Sequence, residues 1–523
     1  VSSLPPLRAP KGDGEILAVP ALERAGELVR ENRDRLSRAG GLDWEALRRL
    51  ARREVLAAAG ASEAPLPASG GGGLPGPFFV GGHQPELFHP GVWVKNFALA
   101  GLARRHGGVA INLVVDNDTL KSTAVRVPAP ANERVAWAHP LLVPYDRWSA
   151  ETPFEERQVL DEGLFASFGE RAGAVMRHWG VEPLLGPFWP AVRRHAGPDG
   201  RIGAAFAAAR RELERQWGCH NLEAPLSAVC AGAAFGRFAG ALLGELPRFV
   251  AVHNETVDAY RARHGIRSKR QPVPDLANED DWLEAPLWGW RAGQSRRGRL
   301  FVRRQGDRLR LRAGADPWPD LPAPGHPDFD AAWRGLGEAG CKVRSRALTT
   351  TLFSRLLLAD LFLHGIGGGK YDELTDELMA RFFGIEPPAY LVLSATRWLP
   401  LPGYPATADD RRRLGRRLRE LRYNPQRCLP AAEQARLSNL VREKEGWVRR
   451  SPADRAGRRE RFGRLRLLNA QMHLPLLAEE GRVRQELARV EGELQANAVL
   501  RRRDYAFCLY PEGALRPFLT ALL

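Results

Sequence analysis

Between Pro77 and Val115 the chain commits itself to one local topology. A short apolar run, Pro77-Phe78-Phe79-Val80, runs into Gly81-Gly82; Gly91 through His106 reads as a helix; and Val109 through Val115 is a second apolar run. Strand, helix and strand with joins this short form a βαβ unit, which requires parallel strands and a right-handed crossover. An α/β fold with a parallel sheet follows. In such sheets ligands bind outside the carboxyl ends of the strands. Each of these two strands ends in a polar motif, and that placement is the structural reason to read both as a site.

The first motif is Gly81-Gly82-His83-Gln84-Pro85-Glu86-Leu87-Phe88-His89-Pro90-Gly91, with Lys95 one turn into the helix. Glycines let backbone approach a ligand closely. Amides at a helix N-terminus favour an anion, which His83, His89 and Lys95 would reinforce. The chemistry served is phosphate or carboxylate binding, with imidazole stabilising charge on a transferring group. The bland alternative is a Pro/Gly turn capped by His83. The second motif is Asp116-Asn117-Asp118 with Lys121: oxygen ligands for Mg²⁺ or a seat for an amine, or simply a strand-ending turn. A third lies far downstream, His364-Gly365-Ile366-Gly367-Gly368-Gly369-Lys370-Tyr371-Asp372, read as a loop over 364–370 before a helix. Its glycines and Lys370 suit a phosphate cradle, but it lacks the spacing and trailing Ser/Thr of a P-loop. Arg344, Arg346, Thr349, Thr350, Thr351 and Arg355 supply further donors upstream, with a solvent-facing position as the alternative for Arg355.

Around these motifs the chain divides into six segments. Residues 1–76 are a helical piece, with helices at 21–38 and 43–59, ending in a Gly-rich linker. Residues 77–150 form the first part of the core. Residues 151–345 are a mostly helical insertion carrying a hairpin, Arg299–Arg303 against Arg308–Arg312. Residues 346–405 form the second part of the core, with a helix over Leu352–Leu363 and a strand at Ala389–Ser394. Residues 406–503 are a charged helical arm, and 504–523 a tail docking back as a strand at Tyr505–Pro511. Val483, Leu487, Val490 and Leu494 follow coiled-coil spacing, and Pro475 breaks the helix before them.

The formal charge is +16, yet only seven of the 77 basic residues are lysine. Arginine spread along the whole chain is a compositional bias, which favours anionic partners in general without defining a nucleic-acid site. In the 406–503 arm, Glu and Asp interleave with Arg, which describes a solvated helix face. The scattered cysteines, with no C-x-x-C pair, indicate neither a zinc ribbon nor a disulfide framework. No tightly bound metal is expected. With no apolar core in Val1–Lys11 and no run near the ~18 apolar residues of a membrane span, a cytoplasmic, non-membrane protein is expected.

With the three motifs in this order, the chain resembles the bacillithiol-biosynthesis cysteine-adding enzyme family (BshC). That family has an early Gly-Gln-Gln-x-x-Leu-Phe-x-Gly-Pro motif followed by a helical Lys, matched here by Gly82-His83-Gln84, Leu87-Phe88, Pro90-Gly91 and Lys95. Its acidic strand end is matched by Asp116-Asn117-Asp118, and its late glycine loop, loosely, by Gly367–Asp372. Three departures touch the pocket: His83 replaces the first Gln, the acidic segment lacks a His, and Lys370 stands near an expected acid. The resemblance implies a Rossmann-like, nucleotidyltransferase-like core with insertions and a dimerising coiled coil. It implies a ligase joining a cysteine carboxyl to the amine of an amino-sugar conjugate, with ATP and Mg²⁺ as candidate cofactors. His83, His89 and Lys370 would neutralise the activated carboxyl, while Asp116 or Asp118 would orient the amine or a magnesium ion. The alternatives are a nucleotidyl or sugar-phosphate transferase on the same fold, or a non-enzymatic anion or nucleic-acid binder.

Overall fold

In the computed structural model, which describes residues 7–40, 43–60, 76–314 and 316–523, six strands form one sheet: β1 (Ile16–Val19), β2 (Phe78–His83), β3 (Val109–Val114), β4 (Leu222–Pro225), β5 (Leu361–His364) and β6 (Tyr390–Ala395). Their order is β1-β6-β5-β2-β3-β4. Five strands are parallel, and β1 is an antiparallel edge paired with β6. The βαβ unit is present, with β2 and β3 in register from Phe78↔Val109 to His83↔Val114. From β2 the chain steps outward to β3 and β4, then returns beside β2 and steps the other way through β5 and β6. The order reverses between β2 and β5.

Both faces of the sheet are covered, which is why its strands are apolar throughout rather than alternating. Neighbouring residues of β2 show the two faces. Phe78 lies under the Arg52 guanidinium of α2 (Trp44–Ala58), at 4.5 Å, whereas Phe79 packs on His106 of α3 (Pro90–His106). Helix α3 is apolar all round and correspondingly buried. It starts with Pro90 at its first position and ends at Gly107 in the left-handed conformation, a placement both residues favour.

Buried Asp360, just before β5, ties four elements together. Its carboxylate meets Arg33 of α1 (Ala25–Ser37) at 3.0 Å, Arg48 and Arg52 of α2 at 3.2 and 2.9 Å, and the Phe78 amide at 2.8 Å. The segment expected to stand apart at the N-terminus therefore belongs to the core: β1 closes the sheet edge, and α1 and α2 pack on it. Its Gly-rich linker, residues 64–77, lies outside the described residues apart from Gly76 and Pro77.

The chain separates into two units: residues 1–127, 142–400 and 503–523, and residues 128–141 and 401–502. In the first unit the insertion is mostly helical over 162–264, as expected, but it also gives the core sheet its strand β4, and it then forms an antiparallel sheet led by Trp282–Arg291, Gly298–Gln305, Arg308–Ala313 and Cys341–Ser345. The hairpin pairs Gln305 with Arg308 across Gly306-Asp307. Three local expectations are corrected. Residues 347–358 are helical, with a π-helical turn over Ser354–Leu358, and the chain at Leu361–His364 is strand rather than helix. The segment after His364 is not a loop, because helix α4 (Ile366–Leu378) begins at once and takes the three glycines into its first turns. The tail is not a strand: Phe507–Leu509 is a 3₁₀ turn followed by helix Glu512–Thr520. It docks through aromatic packing, with Phe507 on Trp93 and Phe188.

In the second unit, helix Ala408–Tyr423 opens with a Thr407/Asp410 capping box and packs on Leu477–Leu500. The break at Pro475 is a single 3₁₀ turn between Arg455–His473 and Leu477–Leu500. Val490 is buried; Val483, Leu487 and Leu494 are half-buried. Among the described residues no helix is long and apolar enough to cross a membrane.

Candidate functional site

Each parallel strand delivers its last residues to the same rim. There, at the place where strand order reverses, lies a cavity of about 750 Å³. It is lined by Gly82, His83 and Gln84 at the end of β2, Leu113 and Val115 at and just after the end of β3, Phe362 to Gly365 at and just after the end of β5, and Ser394 from β6. His89, Gly91, Val92 and Lys95 come from the start of α3; Gly367, Gly368 and Lys370 come from α4. The first and third motifs, far apart in sequence, thus share one cleft.

The charge of this cleft is one-sided. Its described lining carries Arg8, Lys95, Lys370 and Arg503, three imidazoles, and no aspartate or glutamate. Lys95 is 5% exposed, and its Nζ donates to the Gly82 carbonyl at 3.1 Å. No carboxylate pairs with it among the described residues. Burial pulls the ammonium down to about 8, since a charge removed from water without a counter-ion is disfavoured. His83 is pushed down to about 3, by burial first and by Lys95 second. About a quarter of its side chain is still exposed; it is surrounded by protein except where it lines the cavity. Its Nδ1–H donates to the Gln84 carbonyl at 3.2 Å, leaving Nε2 as an acceptor. His89 adopts the opposite tautomer. As N-cap of α3 it accepts the Gly91 amide on Nδ1 at 3.1 Å, so Nε2 carries the hydrogen. Burial, then the positive Arg503, lowers it to about 4.

Two glycines of the first motif are needed for close approach. A Cβ at Gly91 would lie 2.2 Å from the Ala395 carbonyl oxygen, and one at Gly82 would lie 2.8 Å from that of Leu113. Gly81 is buried in β2, where a Cβ would press on the Leu99 side chain at 3.2 Å and the Leu363 carbonyl oxygen at 3.3 Å, tight contacts but less severe than those at the other two. Phe88 does not line the cleft; it supports the His83 ring edge-on at 5.3 Å and packs on Phe507.

The acidic motif goes elsewhere. Both oxygens of Asp116 are taken by the amide and hydroxyl of Ser227, and burial pushes its carboxyl up to about 6. Asp116 lines neither the cleft nor the smaller cavity beside it. Asn117 is buried and donates to the Ser345 carbonyl at 2.8 Å. Asp118 pairs with Arg297 at 2.7 Å and accepts from Gln84 Nε2 at 2.7 Å; Arg297 and Gln84 keep it ionised against its burial. Asn117, Asp118 and Gln84 line the smaller cavity, about 240 Å³, walled by Phe249, Leu276, Trp288 and Leu348. Gln84, Val115, Ala347 and Thr350 border both cavities. Lys121 is exposed and borders neither.

In the third motif His364, Gly367, Gly368 and Lys370 line the cleft, whereas Gly369, Tyr371 and Asp372 do not. Gly369 is buried against Val392, and Tyr371 is 40% exposed. Asp372 is buried behind His364 and bonds its Nε2 at 2.8 Å. Arg355, read from sequence either as a donor or as a solvent-facing residue, is 2% exposed and pairs with Asp372 and Asp376, each at 2.7 Å.

Sequence reasoning missed Arg503 and Ser394, which meet at 2.9 Å beside Gly91. In a chain with seventy arginines nothing marks that one. Among the described residues no group of three or more His, Cys, Asp or Glu could hold a metal ion. No family model matches the chain, and no curated protein matches it.

Proposed function

We propose that this chain is a nucleotide-assisted ligase that joins an amino-acid carboxylate, cysteine in the first instance, to the amine of a sugar-derived acceptor. The observation that carries the proposal is the cationic cleft at the point where strand order reverses, with no carboxylate in its described lining. Charge of one sign in a low-dielectric recess concentrates anions, and cations there stabilise negative charge as it develops. The strand order and the cleft's position also support a Rossmann-like, nucleotidyltransferase-like core.

ATP supplies the phosphoryl or adenylyl group that makes the carboxyl reactive. Magnesium would travel with the phosphates, keeping several waters, since the donor set does not form a protein cage. In this reading Lys95, Lys370 and Arg503 hold the anionic oxygens, and the His89 Nε2–H donates to them. The amides opening α3 and α4 add their dipoles. Gln84, fixed by Asp118, separates the cleft from the smaller cavity. The half-buried seam at Val483, Leu487 and Leu494 supports a coiled-coil arm through which two copies associate. Light scattering on the purified chain decides that point.

The test of activity is direct. The protein is incubated with ATP, magnesium and a panel of amino acids, with and without an amino-sugar acceptor, while pyrophosphate and phosphate are followed. Amino-acid-dependent release is expected in the wild type and is lost in Lys95→Met and reduced in His83→Ala. No release across the panel would overturn the ligase reading.

A further inference from the structure

We propose that His364 is the proton acceptor of the cleft, with its Nδ1 lone pair presented to the ligand by a buried carboxylate that fixes the tautomer of the ring. The inference rests on the ligase reading and names the group that relieves the attacking amine of its proton.

His364 is the last residue of β5 and stands two positions before α4; it is 7% exposed. Its Nε2 lies 2.8 Å from Asp372 Oδ2, two turns into that helix. Burial alone would raise the Asp372 carboxyl. Arg355 overrides this, helped by the hydrogen bond from His364 Nε2, and holds it below the usual carboxylate range. An ionised carboxylate only accepts, so Nε2 carries a hydrogen, and in the neutral imidazole the lone pair is then on Nδ1. Nδ1 has no partner among the described residues. Its surroundings show where it is open. A Cβ at Gly368 would come within 2.5 Å of Nδ1, while Gly367 faces open space. Both glycines line the cleft, so the run that reads as a phosphate cradle also leaves this edge of the imidazole uncovered.

The remaining contacts hold the ring in place. Phe362 packs at 4.6 Å and Tyr390 edge-on at 5.2 Å. Arg355 lies over the Tyr390 ring at 4.6 Å while clamping Asp372, Asp376 and the Pro388 carbonyl. The charged and titratable groups around the ring are therefore Asp372, Arg355, Asp376, Tyr390 and, on the cleft side, Lys370. A histidine retained only for packing has no need of an ionised partner on one nitrogen and an empty face on the other.

The step balances as follows. The amine lone pair forms a bond to the activated carbonyl carbon while one N–H proton passes to Nδ1. The bond from that carbon to the phosphate oxygen breaks, and its electron pair leaves with the phosphate or AMP. The resulting imidazolium is stabilised by Asp372 and returns its proton to solvent. A general base of this kind contributes ~10²–10⁴-fold.

Two measurements decide the matter, both on the full chain. In ¹⁵N-histidine-labelled protein, long-range ¹H–¹⁵N spectra, assigned with His364→Gln, are expected to show that the neutral ring carries its hydrogen on Nε2 and is bare on Nδ1. A ring bearing hydrogen on Nδ1 overturns the inference, and this readout needs no reaction. Kinetically, hydroxylamine traps the activated carboxyl without help from a base. His364→Gln is expected to retain hydroxamate formation within about threefold while kcat for condensation with the amino-sugar acceptor falls ~10²–10⁴-fold at little-changed KM. Asp372→Asn, which keeps a hydrogen-bond acceptor but removes the charge, falls between wild type and His364→Gln. Equal loss of both activities in His364→Gln assigns the residue to binding and overturns the inference. A wild type that forms no hydroxamate defeats the ligase reading instead, and the ring spectrum still stands as the test of His364.

Discussion

Lys95 shows how one side chain can carry the electrostatics of the cleft. Below about pH 8 it is charged in the folded and the unfolded chain alike, and the folded state bears the full cost of burying an unpaired ammonium. Between about 8 and its ordinary 10.5 the folded chain releases the proton first, so this group's contribution to stability rises with pH across that window. Anion binding runs the other way, because only the ammonium attracts an anion. Calorimetric titration with inorganic pyrophosphate is expected to give affinity at least ~10-fold weaker at pH 9 than at pH 7, a difference of ~1.4 kcal/mol. Lys95→Met is expected to bind weakly at both values. An affinity independent of pH would separate Lys95 from the ligand. The same residue was legible in the sequence, because a scarce lysine one turn into a helix after two histidines is an unusual choice in an arginine-rich chain. Lys121 carried the same signal and is exposed, and only burial tells the two apart.

Among elements, the decisive contacts are those that let α3 and β5 reach the rim. Gly91 allows the start of α3 to touch the Ala395 carbonyl of β6, and Gly91→Ala places a Cβ 2.2 Å from that oxygen. The helix start must shift, at a cost of ~1–3 kcal/mol, with Lys95 and His89 displaced. Denaturant unfolding together with pyrophosphate binding checks both effects. Asp360 secures β5 from the opposite face. Burial alone would raise its carboxyl, yet Arg52, Arg33 and Arg48 pull it down to about 2. As an acid with a depressed folded value, it contributes stability that is complete above its ordinary 3.8 and fades as pH falls towards 2. Asp360→Asn leaves three guanidiniums facing a neutral group and is expected to cost ~3–5 kcal/mol in chemical denaturation at pH 7. It is also expected to flatten the acid limb of the stability curve; a variant as stable as wild type would disprove the anchor. The glycine run after His364 misled as a loop because three glycines oppose helix formation. Tertiary packing of α4 against β6, with Gly369 against Val392 and Tyr390, outweighs that propensity.

For the whole molecule the two units differ in how much apolar surface they bury. Helix α3 of the first unit is buried along almost its whole length, whereas Ala408–Tyr423 buries only Leu414 and Leu421, and Arg455–His473 only Leu468 and Met472. Local opening follows buried contact density. Amide exchange in 408–473 is therefore expected to be faster than in β2, α3 and β5 by orders of magnitude, and heating is expected to melt the second unit first. Uniform protection across both units would contradict this.

The βαβ unit, the helix after Pro90, the polar strand ends and the largely helical character beyond residue 406 were all readable from the chain alone, because periodicity, glycine placement and charge are local properties. The sequence placed His83, His89, Lys95, His364 and Lys370 among the candidates for the same reason. It took the folded molecule to show that Asp116 is engaged by Ser227, that Arg355 is buried against Asp372, and that Arg503 returns to Ser394. Those outcomes depend on which partner a polar group finds once water is excluded, and that partner lies 111 positions away for Asp116, 109 for Arg503 and 17 for Arg355.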